Sequence, residues 1–306
     1  MTLIGIDIGG TKTAAGIVAE DGSVLARAAA PTPATQGGAA VIGVVQALVE
    51  HLLPQSPDPV CGIGVGSAGV VDPRTGAIRA ATSAIRSWAG TELRTELSTR
   101  CGLPVTVLND VHAHAIAEAR IGAGADSRRV MLLALGTGIG GAIVTDGRLD
   151  TGRTGAAGHF GHLPSTQATG LPCTCGGTGH LEAVASGPAV LEQYRRVTRD
   201  PSVVDTRAVF ARAADGDDVA TRVVDRAGAA IGEAIGGLVN SFDPDVVVVS
   251  GGLAYADPTW FDHIARTART TMIPVVADCP ITLSTLAGDA PLIGAALHHR
   301  ISEETP

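Results

Sequence analysis

The chain has 306 residues, 45% of them hydrophobic and only 3% aromatic, with a formal net charge of −8. That length accommodates one large domain or two modest ones with cores of small aliphatic side chains, and the composition excludes a disordered chain. The acidic balance argues against broad nucleic-acid binding but not against a small anionic ligand in a local site.

Leu3 to Ile8 reads as an apolar strand running straight into Gly9-Gly10-Thr11-Lys12. No charged leader precedes it, so no signal peptide is expected. Asp7 stands at the strand's end, where a carboxylate can hold Mg2+, usually through water. The glycines after it let backbone N–H groups approach phosphate oxygens. Lys12 is the chain's one lysine, every other basic side chain being arginine. A compact ammonium suits a mobile phosphate, although a codon bias toward arginine would also leave a solitary lysine. A second strand, Ala14 to Val18, an Asp21-Gly22 turn and Val24-Leu25 complete a hairpin. Ala39 to Leu53 carries Val41, Val44, Val45, Leu48 and Leu52 at amphipathic helical spacing. It is the nearest approach to a membrane span, and Gln46, Glu50 and His51 break it short of the roughly 20 residues required. Val60 to Val65 reads as a strand before Gly66-Ser67-Ala68-Gly69, and Val105 to Leu108 as another before Asn109-Asp110 and a helix from Asp110 to Ile121. An Asp at a helix start is in the first place a cap. His112 and His114, two positions apart, face different sides of that helix and read as structural.

The opening pattern then returns. Met131 to Leu135 is a strand, Gly136-Thr137-Gly138 a glycine-rich bend, Ala142 to Val144 a second strand and Asp146-Gly147 a hairpin turn. Two such copies imply a duplicated α/β domain with glycine-lined walls facing a shared cleft. Thr221 to Asn240 reads as a helix, and Val246 to Ser250 as a strand ending at Gly251-Gly252. Gly64-x-Gly66-x-x-Gly69 and Gly136-x-Gly138-x-x-Gly141 mimic a dinucleotide fingerprint, but each leads into a turn or strand where that fingerprint requires a helix. Tyr255 and Trp260 read as core or interface residues. His162, Cys173, Cys175 and His180 form a His-x10-Cys-x-Cys-x4-His array, and thiolate and imidazole donors so closely spaced suit tetrahedral zinc. Five cysteines, an odd number, suit a reducing compartment better than a disulfide framework, so a cytoplasmic location is expected.

Asp7-Ile8-Gly9-Gly10-Thr11-Lys12, Leu135-Gly136-Thr137-Gly138, Gly155-Ala156-Ala157-Gly158-His159-Phe160-Gly161-His162 and Gly251-Gly252 together resemble the motifs of the ROK family of bacterial sugar kinases and repressors. The resemblance covers nearly all of the chain. It implies an α/β, actin-like ATPase (ribonuclease H-like) fold, duplicated into two lobes with a central cleft. Residues 1–118 would form the small lobe, joined by a C-terminal helix 290–306, and residues 119–289 the large lobe with the zinc motif. It further implies an ATP-dependent carbohydrate kinase using Mg2+. Asp7, Gly9, Gly10, Thr11, Lys12, Gly136, Thr137 and Gly138 would hold nucleotide and metal, and Gly251 and Gly252 would pass beneath the adenosine. Asp110 becomes the candidate general base, accepting the proton of a sugar hydroxyl as the phosphoryl group transfers.

Asn109, His159, His162 and Glu182 are the implied sugar ligands. Where the family usually places a sugar-binding Asn this chain has Ala84, so that contact is lost or passes to Thr82 or Ser83. His159 stands where most sugar kinases of the family have glutamate, and a neutral histidine offers one donor and one acceptor in its place. The same histidine is found in the family's N-acetylmannosamine kinases. The expected reaction is therefore phosphorylation of the 6-hydroxyl of an N-acylhexosamine, N-acetylmannosamine first. Glucokinase or N-acetylglucosamine kinase activity is the alternative within the class, and a non-catalytic sugar-sensing regulator the alternative outside it. The family's zinc site normally has a third Cys where this chain has His180, so a Cys2His2 site is expected, structural because no position stays open, and fixing His162 and Glu182. Expected partners are a small-molecule sugar, ATP and a second copy in a homodimer, with neither nucleic acid nor membrane. The repressors' N-terminal DNA-binding extension is not expected, since the first strand begins near Thr2.

Overall fold

The computed structural model describes residues 2–303, and their contacts divide into two units. The first comprises the chain up to Asp126, Ala142–Gly158 and the chain from Thr285 onward; the second comprises Ser127–Gly141 and His159–Ser284.

The first unit is built on β1 (Thr2–Ile8), β2 (Lys12–Val18), β3 (Val24–Pro31), β4 (Val60–Ser67) and β7 (Val105–Asn109), in the order β3-β2-β1-β4-β7. The first three strands form an antiparallel meander, and β4 and β7 extend it in parallel. Helices α1 (Gly38–Leu52) and α2 (Leu93–Cys101) supply the connections that parallel pairing demands. A short ribbon of β5 (Val70–Val71) and β6 (Ile78–Ala80) lies between them in sequence.

Strand alternation decides what each face of this sheet does. Ile4, Ile6 and Ile8 of β1 are fully buried in one cluster with Val41, Ile42, Val45 and Leu52 of α1 and Leu93 and Leu97 of α2. The run from Gly38 to Gln55 is long and apolar enough to cross a membrane, yet its apolar stripe is spent on this core. The alternate positions carry glycine. A Cβ on Gly5 or Gly64 would collide with the carbonyl of Leu292 or Ala295, so α9 (Ala290–Glu303) can lie directly on the backbone. Helix α3 (Asp110–Ile121) packs beside α9, with Gly294 against the Ala113 carbonyl. These glycines bring the start of α3 down onto the sheet: a Cβ on Gly66 would lie 3.5 Å from Asp110 Cα.

The first unit reaches Asp126 rather than the expected residue 118, because α3 runs to Ile121 and Glu118 holds the turn after it. Ala142–Gly158 joins this unit as well: His112 Nε2 lies 2.8 Å from the Ala157 carbonyl, and Gly155 backs onto Val71. Residues 304–306 of the expected C-terminal helix fall outside the described residues.

The repeated motif reappears as β8 (Arg129–Leu135), β9 (Ile139–Thr145) and β10 (Arg148–Leu149), with β11 (Val246–Ser250) and β12 (Ile281–Leu283), in the order β10-β9-β8-β11-β12. The boundary between the units falls within β9. Asp146 and Gly147 both take left-handed backbone angles (φ 52° and 71°), as a two-residue Asp-Gly hairpin turn requires. The second unit's helices are α4 (Glu182–Ala185), α5 (Gly187–Thr198), α6 (Thr206–Ala214), α7 (Asp218–Phe242) and α8 (Pro258–Thr271). Ser186, Asp205, Asp217 and Asp257 cap α5 to α8 through their side chains.

Candidate active site

In the first unit the loop after β1 is shaped from within. Gly9 N–H donates to the Lys12 carbonyl at 3.0 Å, and Thr32 N–H donates to the Thr11 carbonyl at 3.0 Å. The Thr32 hydroxyl donates to the Gly9 carbonyl at 2.7 Å and pairs with the Thr13 hydroxyl at 2.8 Å. Thr11 and Lys12 are exposed at its tip. Thr32 is a buttress that the sequence did not disclose, since its partners lie in another strand and a loop. The turn at Thr82–Ala84 lies over Gly10, whose added Cβ would sit 3.2 Å from Ala84 Cβ, and Ser83 is exposed in that turn.

Asp110 opens α3, but the cap is Asn109. The Asn109 side-chain oxygen accepts the N–H groups of Val111 and His112 at 3.0 and 3.2 Å, and its nitrogen donates to the Gly69 carbonyl at 3.0 Å. With the helix cap supplied by its neighbour, the Asp110 carboxylate accepts the Val111 N–H at 2.9 Å. Burial raises the proton affinity of Asp110 above the ordinary carboxylate value, partly offset by the Val111 N–H, Asn109 and the nearby His114. Asp7 is pushed up to about 7, by burial first and by the charge of Asp110 second, with Lys12 acting in the opposite direction. A carboxylate raised by a second one beside it marks a place where a cation would be favoured. His114 lies near both Asp110 and Glu118 on the same helix.

In the second unit the bend after β8 is closed by a hydrogen bond from Gly136 N–H to the Gly138 carbonyl, 3.0 Å, and by Gly187 N–H on the Gly136 carbonyl, 2.9 Å. Gly251, at φ 87°, presses on the Leu135 carbonyl where a Cβ would collide, whereas the space around Gly252 is open. Gly136, Thr137 and Gly252 share a cavity of about 990 Å3 with Leu191, Val204, Thr206, Arg207, Phe210, Leu253 and Tyr255. Tyr255 is half exposed and lines this cavity, with its hydroxyl on the Ser284 carbonyl at 2.6 Å; it is not a core residue. Trp260 is buried, as expected of a core residue.

Glu182 ties two features together. One carboxylate oxygen accepts the Ile139 N–H at 2.9 Å and the other the Thr174 hydroxyl at 2.9 Å. Thr174 lies between Cys173 and Cys175, whose sulfurs face His162 Nδ1 at 3.7 Å and His180 Nδ1 at 3.2 Å. The donor atoms of all four residues lie within 4.8 Å of one another. A zinc tetrahedron with Zn–S of about 2.3 Å and Zn–N of about 2.0 Å has edges of roughly 3.3–3.8 Å, so two thiolates and two imidazoles fit after a small contraction. Burial raises the Cys173 thiol and lowers His162, leaving both neutral until a cation displaces the thiol proton. His159 stacks on His162, with ring centroids 6.1 Å apart and planes 22° from parallel.

The ROK family model matches residues 3–300. The chain belongs to the ROK family. It is 32% identical to a glucokinase of Thermotoga maritima over 97% of this chain and 96% of that one. It is also 32% identical to an N-acetylmannosamine kinase of Citrobacter koseri, over 97% and 98%. Among solved structures, a ROK family glucokinase of Streptomyces griseus in complex with glucose and AMPPNP superposes with a TM-score of 0.84 at 31% identity, over 98% of this chain and all of that one. The fold is the actin-like ATPase fold, as the sequence motifs implied.

Proposed function

We propose that this ROK protein is an ATP-dependent carbohydrate kinase acting on the 6-hydroxyl of an N-acylhexosamine, N-acetylmannosamine first. The observation that carries the kinase reading is Asp110, a half-buried carboxylate relieved of capping by Asn109 and placed beside Asp7 at the mouth of a glycine loop. Asp110 accepts the hydroxyl proton, and its raised proton affinity suits that task. Gly9, Gly10 and Thr11 offer backbone N–H groups, and Lys12 a mobile charge, to the phosphates. Mg2+, held through water by Asp7, would neutralise charge on the transferring group. Gly136-Thr137-Gly138 and the cavity flanked by Gly251-Gly252 take the nucleotide, with Tyr255 and Val204 as apolar walls for its base.

On the sugar side, Asn109 offers its side-chain amide, and Glu182 keeps a second lone pair on each oxygen. Ser83 stands in for the Asn that Ala84 replaces. His159 and His162 offer imidazole nitrogens near the position where the glutamate of other family members would accept from hydroxyls. His159 favours the N-acylmannosamine, because a donor placed there can serve an acyl carbonyl. The T. maritima relative, as similar overall as the C. koseri one, makes glucose the second candidate. His162, Cys173, Cys175 and His180 would hold zinc in a closed Cys2His2 set, supplying a cross-link that orients His162 and, through Thr174, Glu182.

The test is ADP release with N-acetylmannosamine, N-acetylglucosamine and glucose. The highest kcat/KM is expected for N-acetylmannosamine. Preference for glucose would reject the sugar and keep the class, whereas no ATP consumption with any of the three would reject the class.

A further inference from the structure

The chain passes from one unit to the other after Asp126, within β9 at Gly141, after Gly158 and again between Ser284 and Thr285. Three of these passages are held by side chains of α3, the helix that begins with Asp110. The main holder is Glu118, fully buried and on the Asp110–His114–Glu118 row of i, i+4 positions. Its Oε2 accepts the Ala123 N–H at 2.8 Å, just before the first passage. Its Oε1 accepts the N–H groups of Thr285 and Leu286 at 3.1 and 3.0 Å, just after the last. The Thr285 hydroxyl lies 3.4 Å from Oε2 and His114 Nε2 3.7 Å from Oε1. His112, from the same helix, holds the Ala157 carbonyl, one residue before the passage at Gly158.

Such convergence has a physical meaning. A fully buried carboxylate is costly unless donors satisfy it, and here backbone N–H groups from two segments far apart in sequence do so. The kinase reading makes α3 the element that must present Asp110 in one position while substrate is held, a requirement for which small displacements are costly. Resting on that reading, we propose that Glu118 is a positioning residue for phosphoryl transfer: it fastens two passages between the units to the helix that carries the base, so that base and passages keep one registry.

The variant that isolates this role is Glu118→Gln. It keeps the length and volume but turns one acceptor oxygen into an NH2 donor. A single amide oxygen can serve the Ala123 N–H or the Thr285–Leu286 pair, not both. Backbone hydrogen exchange and steady-state kinetics are measured together on the full chain. The expected result is exchange at least about tenfold faster at one of the two segments, with kcat lowered at least about tenfold and the KM for ATP within about threefold of wild type. Glu118→Asp, which keeps two acceptors, should recover part of both effects. Faster exchange with kcat unchanged in the folded protein would reduce Glu118 to a stabilising residue and overturn the proposal, as would unchanged exchange. Should the glutamine variant not fold, wild-type exchange decides: Ala123, Thr285 and Leu286 are expected to share one opening free energy, and widely different protection overturns the clamp. A wild type inactive on every sugar would sink the kinase reading instead, a result distinguishable because the exchange comparison stands without turnover.

Discussion

At the scale of single residues, Asp110 shows a conflict between stability and chemistry. Its proton affinity is raised by burial, so the folded state binds its proton more tightly than the unfolded state does. The stabilisation this confers is present below the ordinary carboxylate value and is lost as pH rises through the folded value, so above that range this side chain is a cost to folding. Asp110→Asn removes that cost and the base together. The expected outcome is a kcat about 10²–10⁴-fold lower, with a urea midpoint at pH 7 equal to or above that of wild type. Turnover near wild type would mean that another group takes the proton. The sequence disclosed Asp110 and Asn109 as a pair at a helix start, because a strand ending before an apolar-periodic run is a local pattern. It assigned the cap to the wrong member of the pair, since only the side-chain geometry shows Asn109 reaching Val111 and His112. Glu118 stayed hidden for a different reason: an acidic residue late in a helix reads as solvent-facing, and its partners at Thr285 and Leu286 are 167 and 168 residues away.

At the scale of elements, the periodic segments were legible and the glycines were not. The helix from Asp110 to Ile121 and the strand from Val246 to Ser250 have the limits their patterns predict. Gly62, Gly64 and Gly66 read only as glycines within and at the end of a strand. The structure shows what they are for: a bare stripe on β4, facing His299, the Ala295 carbonyl and the start of α3. Close packing on that stripe also buries His299, and the adjacent His298 is half-buried. His298 of α9 is pushed down to about 4, by burial first and then by His112 and His299. A folded value below the ordinary one means that the unfolded chain takes up the proton more readily. The stability this neutral histidine permits is therefore full above about pH 6.5 and is lost as pH falls from there toward 4. Urea midpoints measured from pH 7 to 4.5 should fall in wild type and fall less steeply in His298→Gln. An equal slope in the variant would place the acid sensitivity elsewhere.

At the scale of the whole molecule, the internal repeat announced two units, while their boundary depended on contacts no pattern encodes. Ala142–Gly158 belongs with the first unit because His112 bonds Ala157 and Gly155 backs onto Val71. The four donors of the Cys2His2 cluster, by contrast, all lie in the second unit, so loss of a metal there has a local prediction attached to it. The cluster is joined through Thr174 to Glu182, and through Glu182 to the Ile139 N–H beside the Gly136–Gly138 bend. A cross-link removed from a folded domain loosens the segments it joined and leaves a separate core intact. Purified protein should carry about one zinc per chain, and chelation or Cys173→Ser should speed backbone exchange across residues 159–185 and at Ile139. The amides of β1, β4 and β7 in the first unit should keep their protection. Protein that purifies without stoichiometric zinc would remove the metal from the argument. Exchange that rises equally in both units would show that the two cores stand or fall together, and that the knuckle at Cys173–His180 holds more than the sugar-side residues assigned to it.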